Sequence, residues 1–167
     1  MFWFTVEVAE MQNTASMKVG DMPKLRGSAA SACIPIGFKE VAAKKQLLLA
    51  EDNAVNRKVM LKMLHALGFD QVDIAKDGIQ ASDLAKQHPD KYDLILMDIQ
   101  MPLLDGIGAT KLIRKEGITA PIIAMTANAL KGNAETYIAN GIDDYVPKPV
   151  DRQLLLNILS RWLELGK

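Results

Sequence analysis

Five times between Gln46 and Leu165 a short apolar run gives way to a stretch with helical spacing, and this alternation limits the possible folds more than any other feature of the chain. The first run is Gln46-Leu-Leu-Leu-Ala50, and the amphipathic stretch from Val55 to Leu67 that follows it stops at Gly68. The pattern then recurs: Val72 to Ala75 with Gly78 to Gln87, Leu94 to Met97 with Ile107 to Lys115, and Ile122 to Met125 with Leu130 to Asn140. Tyr145 and Val146, with Asp151 to Leu165, complete it. A run such as Leu94-Ile-Leu-Met97 has no polar face and must be covered on both sides, so the βα units predict a parallel sheet with helices on each face. The expected architecture is a doubly wound sandwich of five βα units, occupying residues 44–167.

Upstream the pattern is different. Phe2, Phe4, Val6 and Val8 alternate with Trp3, Thr5 and Glu7, which predicts one strand over residues 1–8. Residues 9–43 lack periodicity, contain Pro23, Pro35 and the small-residue stretch Gly27-Ser-Ala-Ala-Ser-Ala, and are expected to be a largely disordered linker. A length of 167 residues fits one domain with such additions.

Twenty basic and twenty acidic side chains cancel, so no overall field draws the chain onto nucleic acid or an anionic membrane. Cys33 is the single cysteine, which excludes an intrachain disulfide framework and a cysteine-rich zinc site and fits a reducing compartment. With no signal-like start and no apolar stretch of spanning length, the expected location is cytoplasmic.

In doubly wound sheets ligands sit beyond the carboxyl ends of the strands. The residues there are Glu51 and Asp52, Asp98, Thr126 and Lys148, a set of three carboxylates, a hydroxyl and an ammonium expected to converge. Two carboxylates repel by roughly 1 to 4 kcal/mol at ~4 Å, so three in one pocket call for a compensating cation. Magnesium suits the set, because it takes few protein carboxylates and leaves room for a phosphoryl oxygen. With Lys148 and Thr126 holding other phosphoryl oxygens, Asp98 is placed to attack phosphorus and form an acyl phosphate.

These residues lie in Leu49-Ala-Glu-Asp-Asn53 with Val55-Asn-Arg57, Met97-Asp-Ile-Gln-Met-Pro102 with Asp105-Gly106, Met125-Thr-Ala-Asn-Ala129, and Gly141-Ile-Asp-Asp-Tyr-Val-Pro-Lys-Pro-Val150. In that order they resemble the receiver domains of two-component response regulators, above all those attached to hybrid sensor histidine kinases. The resemblance implies a flavodoxin-like (βα)5 fold with strand order 2-1-3-4-5, phosphorylation of Asp98, direct magnesium binding by Asp52, Asp98 and the Gln100 carbonyl, and a contribution of Glu51 through water. It also implies that Lys148 bonds the phosphoryl group, that Lys148–Pro149 is cis, and that Thr126 and Tyr145 move as a switch. Residues at the Gln100 and Asn128 positions modulate slow self-hydrolysis in the family. The first residues, Phe2-Trp-Phe-Thr-Val6, look like the closing strand of a histidine kinase ATP-binding domain, making the chain a carboxyl-terminal piece of such a kinase with no kinase activity of its own.

The leading expectation is a phosphorelay receiver, loaded from a kinase phosphohistidine and discharged to a histidine phosphotransfer partner. The alternative is a phosphorylation-controlled binding switch that regulates an attached kinase or partner. An aspartyl phosphatase typically carries a second carboxylate two residues after its nucleophile, where this chain has Gln100. His65 and His88 are expected to be exposed helix-end residues without a role, and Gly106 and Gly141 to serve turns and helix ends. Met60, Met63, Leu64 and Leu67 form a core stripe, leaving Val55, Val59 and Leu61 for a partner-docking patch.

Overall fold

The computed structural model describes residues 34–129 and 131–163. A short helix α1 (Phe38–Ala42) leads into the alternating elements β1 (Gln46–Ala50), α2 (Ala54–Leu67), β2 (Gln71–Ala75), α3 (Gly78–Gln87) and β3 (Leu94–Asp98). Then come α4 (Gly106–Lys115), β4 (Ile122–Thr126), α5 (Lys131–Ala139), β5 (Asp144–Pro147) and α6 (Arg152–Leu163). The five strands form one sheet, every pair parallel as the alternation predicts, in the order β2-β1-β3-β4-β5 that the resemblance implies.

Helix starts follow from local chemistry. Asn53, Asp77 and Asp105 each cap the helix they precede, the side-chain oxygen accepting from the backbone N–H of Val55 and Asn56, of Gln80 and of Gly108 respectively. Gly68 ends α2 at φ 103°, a left-handed conformation that side chains with a Cβ rarely adopt.

Successive strand residues point to opposite faces, and the core divides accordingly. Leu48, Ala50, Ile95, Met97, Ile122 and Ala124 join one cluster with Ala81 and Ala85 of α3, Ala109 and Ile113 of α4 and Tyr137 of α5. Leu47, Leu49, Leu94, Leu96, Ile123 and Met125 are equally buried on the other face, which is left for the buried stripes of α2 (Met60, Leu64, Leu67) and α6 (Leu155, Ile158, Leu159). Met63 departs from the expected core stripe. It is only half-buried, because it lines a groove beside the site described below.

The linker expected over residues 9–43 ends earlier than the sequence indicated. Phe38 is buried and meets Phe69 edge to face with ring centroids 6.0 Å apart, so α1 is part of the folded unit, which begins at Ile34. The strand expected over 1–8, the linker residues up to 33 and Cys33 lie outside the described residues. Among the described residues no helix is long and apolar enough to cross a membrane.

Candidate functional site

The side chains singled out in the sequence stand at the carboxyl edge of the sheet, and strand alternation sorts them. Glu51 follows β1, Asp98 ends β3 and Lys148 follows β5, all in phase with the residues that face α2 and α6. Thr126, at the end of β4, is in phase with Ile122 and Ala124 and so faces the α5 side.

Lys148 draws the first three together. Its Nζ lies 2.8 Å from Asp98 Oδ2 and 2.9 Å from Glu51 Oε2, and both carboxylates are almost fully buried. Backbone N–H groups hold the remaining oxygens: Gln100 donates to Asp98 Oδ1 at 3.0 Å and Asn53 to Glu51 Oε1 at 3.1 Å. Burial pushes the Lys148 ammonium down, but its hydrogen bonds to Asp98 and Glu51, together with their charge, outweigh this and hold it above the usual lysine range. The Lys148–Pro149 bond is cis.

Asp52 is exposed, and the guanidinium of Arg57 ties its loop down by donating to the carbonyls of Glu51 at 2.9 Å and Asp52 at 3.2 Å. In consequence Glu51, Asp52 and Asp98 each offer an oxygen within 4.8 Å of the others. Three carboxylates face one ammonium, and an all-oxygen donor set with this excess of negative charge fits a hard divalent cation. Gly106 lets the start of α4 approach the end of β3 closely. It donates to Ile99 O, and a Cβ there would stand 2.3 Å from the Asp98 carbonyl oxygen.

Thr126 is occupied elsewhere. Its Oγ1 accepts from the Asn128 N–H at 3.0 Å and lies 3.0 Å from the hydroxyl of Tyr137, a buried residue of α5. Asn128 is exposed and meets Thr126 through its backbone. Tyr145, half-buried on β5, packs against the same Tyr137 with ring centroids 6.2 Å apart. Tyr137 was not legible as a site residue: a single tyrosine in a helix without an apolar stripe carries no signal, and only the packing of α5 brings its hydroxyl to Thr126.

His65 and His88 are exposed, as expected, and stand away from this constellation in the last turn of α2 and at the end of α3. Of the suggested docking residues, Val55 and Val59 are exposed at 69% and 46% of their surface, whereas Leu61 is half-buried. Beside Val59 a groove of about 440 Å³ runs along Asn56, Met60 and Met63 to Glu51, Lys148 and Pro149.

Fold and site together define a flavodoxin-like α/β module with an acidic cluster and a lysine at the carboxyl edge of its sheet. Residues 47–160 match the response regulator receiver domain family, and the chain belongs to that family. It is 46% identical over 162 residues to two-component system protein A of Emericella nidulans, an alignment covering 97% of this chain and 23% of that protein. The chain thus spans under a quarter of that relative's length.

Among solved structures it is similar to the receiver domain of a Pseudomonas aeruginosa sensor histidine kinase, crystallised with a magnesium ion coordinated in its active-site cleft. The identity is 46% and the TM-score 0.65, covering 72% of this chain and 98% of that one. The receiver domain of the Saccharomyces cerevisiae response regulator Ssk1, crystallised with the histidine phosphotransfer protein Ypd1, is 28% identical, with a TM-score of 0.65 and coverage of 71% and 88%.

Proposed function

We propose that this receiver domain takes a phosphoryl group from a kinase phosphohistidine onto Asp98 and passes it to a histidine phosphotransfer partner. The observation that carries the chemistry is Asp98 itself, a buried carboxylate flanked by Glu51 and Asp52 and bridged by Lys148. Magnesium is the cation that would occupy this site, with Asp52, Asp98 and the Gln100 carbonyl as the groups that would hold it and Glu51 contributing through water. When bound it offsets the charge of the acids and of the incoming phosphoryl oxygens.

Asp98 supplies the attacking oxygen. A P–O bond forms as the P–N bond of the donor breaks, and the departing imidazole takes up a proton. Lys148 transfers its hydrogen bonds from the carboxylates to a phosphoryl oxygen, and the Thr126 hydroxyl binds another. Gln100 lacks the carboxyl a fast phosphatase would use as general acid, so hydrolysis is slow, modulated at Gln100 and Asn128.

The exposed Val55 and Val59, on the helix that borders the groove beside Lys148, support docking of a helical partner over the site. The similarity to a receiver crystallised with a phosphotransfer protein supports the same reading. The contact of Thr126 and Tyr145 with Tyr137 favours a second use, a phosphorylation-controlled binding switch on the face around α5 and β5. The alignment with the Emericella protein reaches upstream of the family match, which supports a preceding segment shared with that two-component protein; that residues 1–8 close a kinase domain, in a cytoplasmic setting, is part of the same proposal.

The test is to incubate the protein with magnesium and acetyl phosphate beside Asp98→Asn and to weigh both by intact mass spectrometry. A gain of one phosphate that needs magnesium and is absent from the variant is expected. No gain in a folded sample overturns the acyl phosphate chemistry. Subsequent mixing with a phosphotransfer domain separates relay, in which the phosphate leaves for the partner, from a switch, in which it stays.

A further inference from the structure

We infer that Tyr137 is a positioning residue that latches the Thr126 hydroxyl on the α5 side, so that Thr126 must leave Tyr137 before it can bind a phosphoryl group on Asp98. The inference deepens the reading above and rests on it. A threonine hydroxyl has one proton to donate and two lone pairs. Here Oγ1 accepts from the Asn128 N–H at 3.0 Å, and its proton lies within reach of the Asn128 carbonyl at 3.3 Å and the Tyr137 oxygen at 3.0 Å. Whichever hydroxyl donates in the contact with Tyr137, the single Thr126 proton is directed to the Asn128 carbonyl or to Tyr137, so the donor capacity needed for a phosphoryl oxygen is already in use on the α5 side.

Both partners are buried, Thr126 at 4% and Tyr137 at 6% exposure, so water is poorly placed to replace a broken contact. Strand phase gives the same separation, with Asp98 and Lys148 toward α2 and α6 and Thr126 toward α5. Because the Tyr137 ring also packs on Tyr145, releasing the latch frees a residue of α5 and one of β5 together. Occupancy of Asp98 is thereby linked to the face those elements build.

The latch stabilises only the unmodified state, so its removal favours the modified one. The test is calorimetric titration of the full chain with beryllofluoride, a phosphoryl mimic, in the presence of magnesium, for wild type, Tyr137→Phe, Thr126→Ala and the double variant. Tyr137→Phe keeps the ring packing and removes only the hydroxyl. It is expected to bind about fivefold more tightly, the worth of one hydrogen bond. In the Thr126→Ala background the same change is expected to have no effect, an outcome a merely structural role for Tyr137 does not produce. Unchanged or weaker binding by Tyr137→Phe, or an equal gain without Thr126, overturns the latch while leaving the acyl phosphate reading intact. If the folded wild type itself takes up no beryllofluoride, that reading fails and the latch falls with it.

Discussion

Asp73, on the edge strand β2, shows how one carboxylate ties distant parts of the chain together: its Oδ2 accepts from Lys91 Nζ at 2.6 Å and from the Tyr92 hydroxyl at 2.7 Å. Burial pushes the Asp73 carboxyl up, but hydrogen bonds from Lys91 and Tyr92, with the charge of Lys91 and His88, outweigh it and leave it below its ordinary value of 3.8. The same burial, with Asp73 beside it, pushes the Tyr92 phenol up. A carboxyl that binds its proton less tightly when folded contributes stability above the unfolded value and loses it as pH falls through the folded one. Because Asp73 is about a third exposed, solvent screening keeps that contribution near or below about 1 kcal/mol. Urea unfolding of wild type and Asp73→Asn, from about pH 6 down to about pH 2.5, is expected to show a difference that shrinks below about pH 4. A gap independent of pH would mean that the carboxyl is not held low. Lys148 has the opposite sign: its raised value gives stability that is complete below the ordinary 10.5 and is lost only as pH rises through the folded value, so it adds no slope in the acid range.

Helix α1 belongs to the folded unit although nothing periodic announces it. Five residues are too few for a helical repeat to register, and Phe38-Lys-Glu-Val-Ala42 follows a stretch rich in Ser, Ala and Gly. Its anchor is Phe38, 1% exposed against Phe69, and Phe38→Ala is expected to cost about 3 to 5 kcal/mol by removing buried surface and leaving a cavity. Ile36, fully exposed two residues earlier, is the control: Ile36→Ala is expected to leave the urea midpoint within about 0.5 kcal/mol of wild type. Equal effects would detach α1 from the core. The longer elements were legible for a physical reason. Strands such as Leu94–Asp98, buried along their whole length, need apolar residues on both faces, and the amphipathic spacing between them marks the helices. Glu51, Asp52, Asp98, Thr126 and Lys148 were legible because a parallel sheet brings its strand ends to one edge. The depth at which α2 packs was not, and it makes Met63 and Leu61 half-buried instead of core and surface. The partner of Thr126 was not either, since Tyr137 is eleven residues away and on another element.

At the scale of the whole molecule, a net charge of zero conceals a local imbalance that the folded state alone must bear. Lys148 bridges Glu51 and Asp98, while Asp52, exposed at the mouth, takes part in no ion pair among the described residues. Folding assembles the three carboxylates within 4.8 Å, whereas the unfolded chain separates β1 from β3 and relaxes the repulsion. A cation that binds only the assembled site therefore stabilises the fold by mass action, by about 2.7 kcal/mol at a hundredfold excess over its dissociation constant. For a unit of this size that corresponds to a rise in melting temperature on the order of 10 °C. Asp52→Asn separates the two contributions. Without the cation the variant is expected to melt at or above the wild-type temperature, because one repelling charge is gone and no ion pair is lost. With saturating magnesium for the wild type, most of the cation's increment is expected to disappear. A variant that melts well below wild type without the cation, or that keeps the full increment with it, would show that Asp52 is neither the uncompensated charge nor a ligand. Chelation of the magnesium-loaded wild type should return it to the melting temperature of the cation-free protein, since the increment depends on an ion held by the assembled site and on no change elsewhere in the chain.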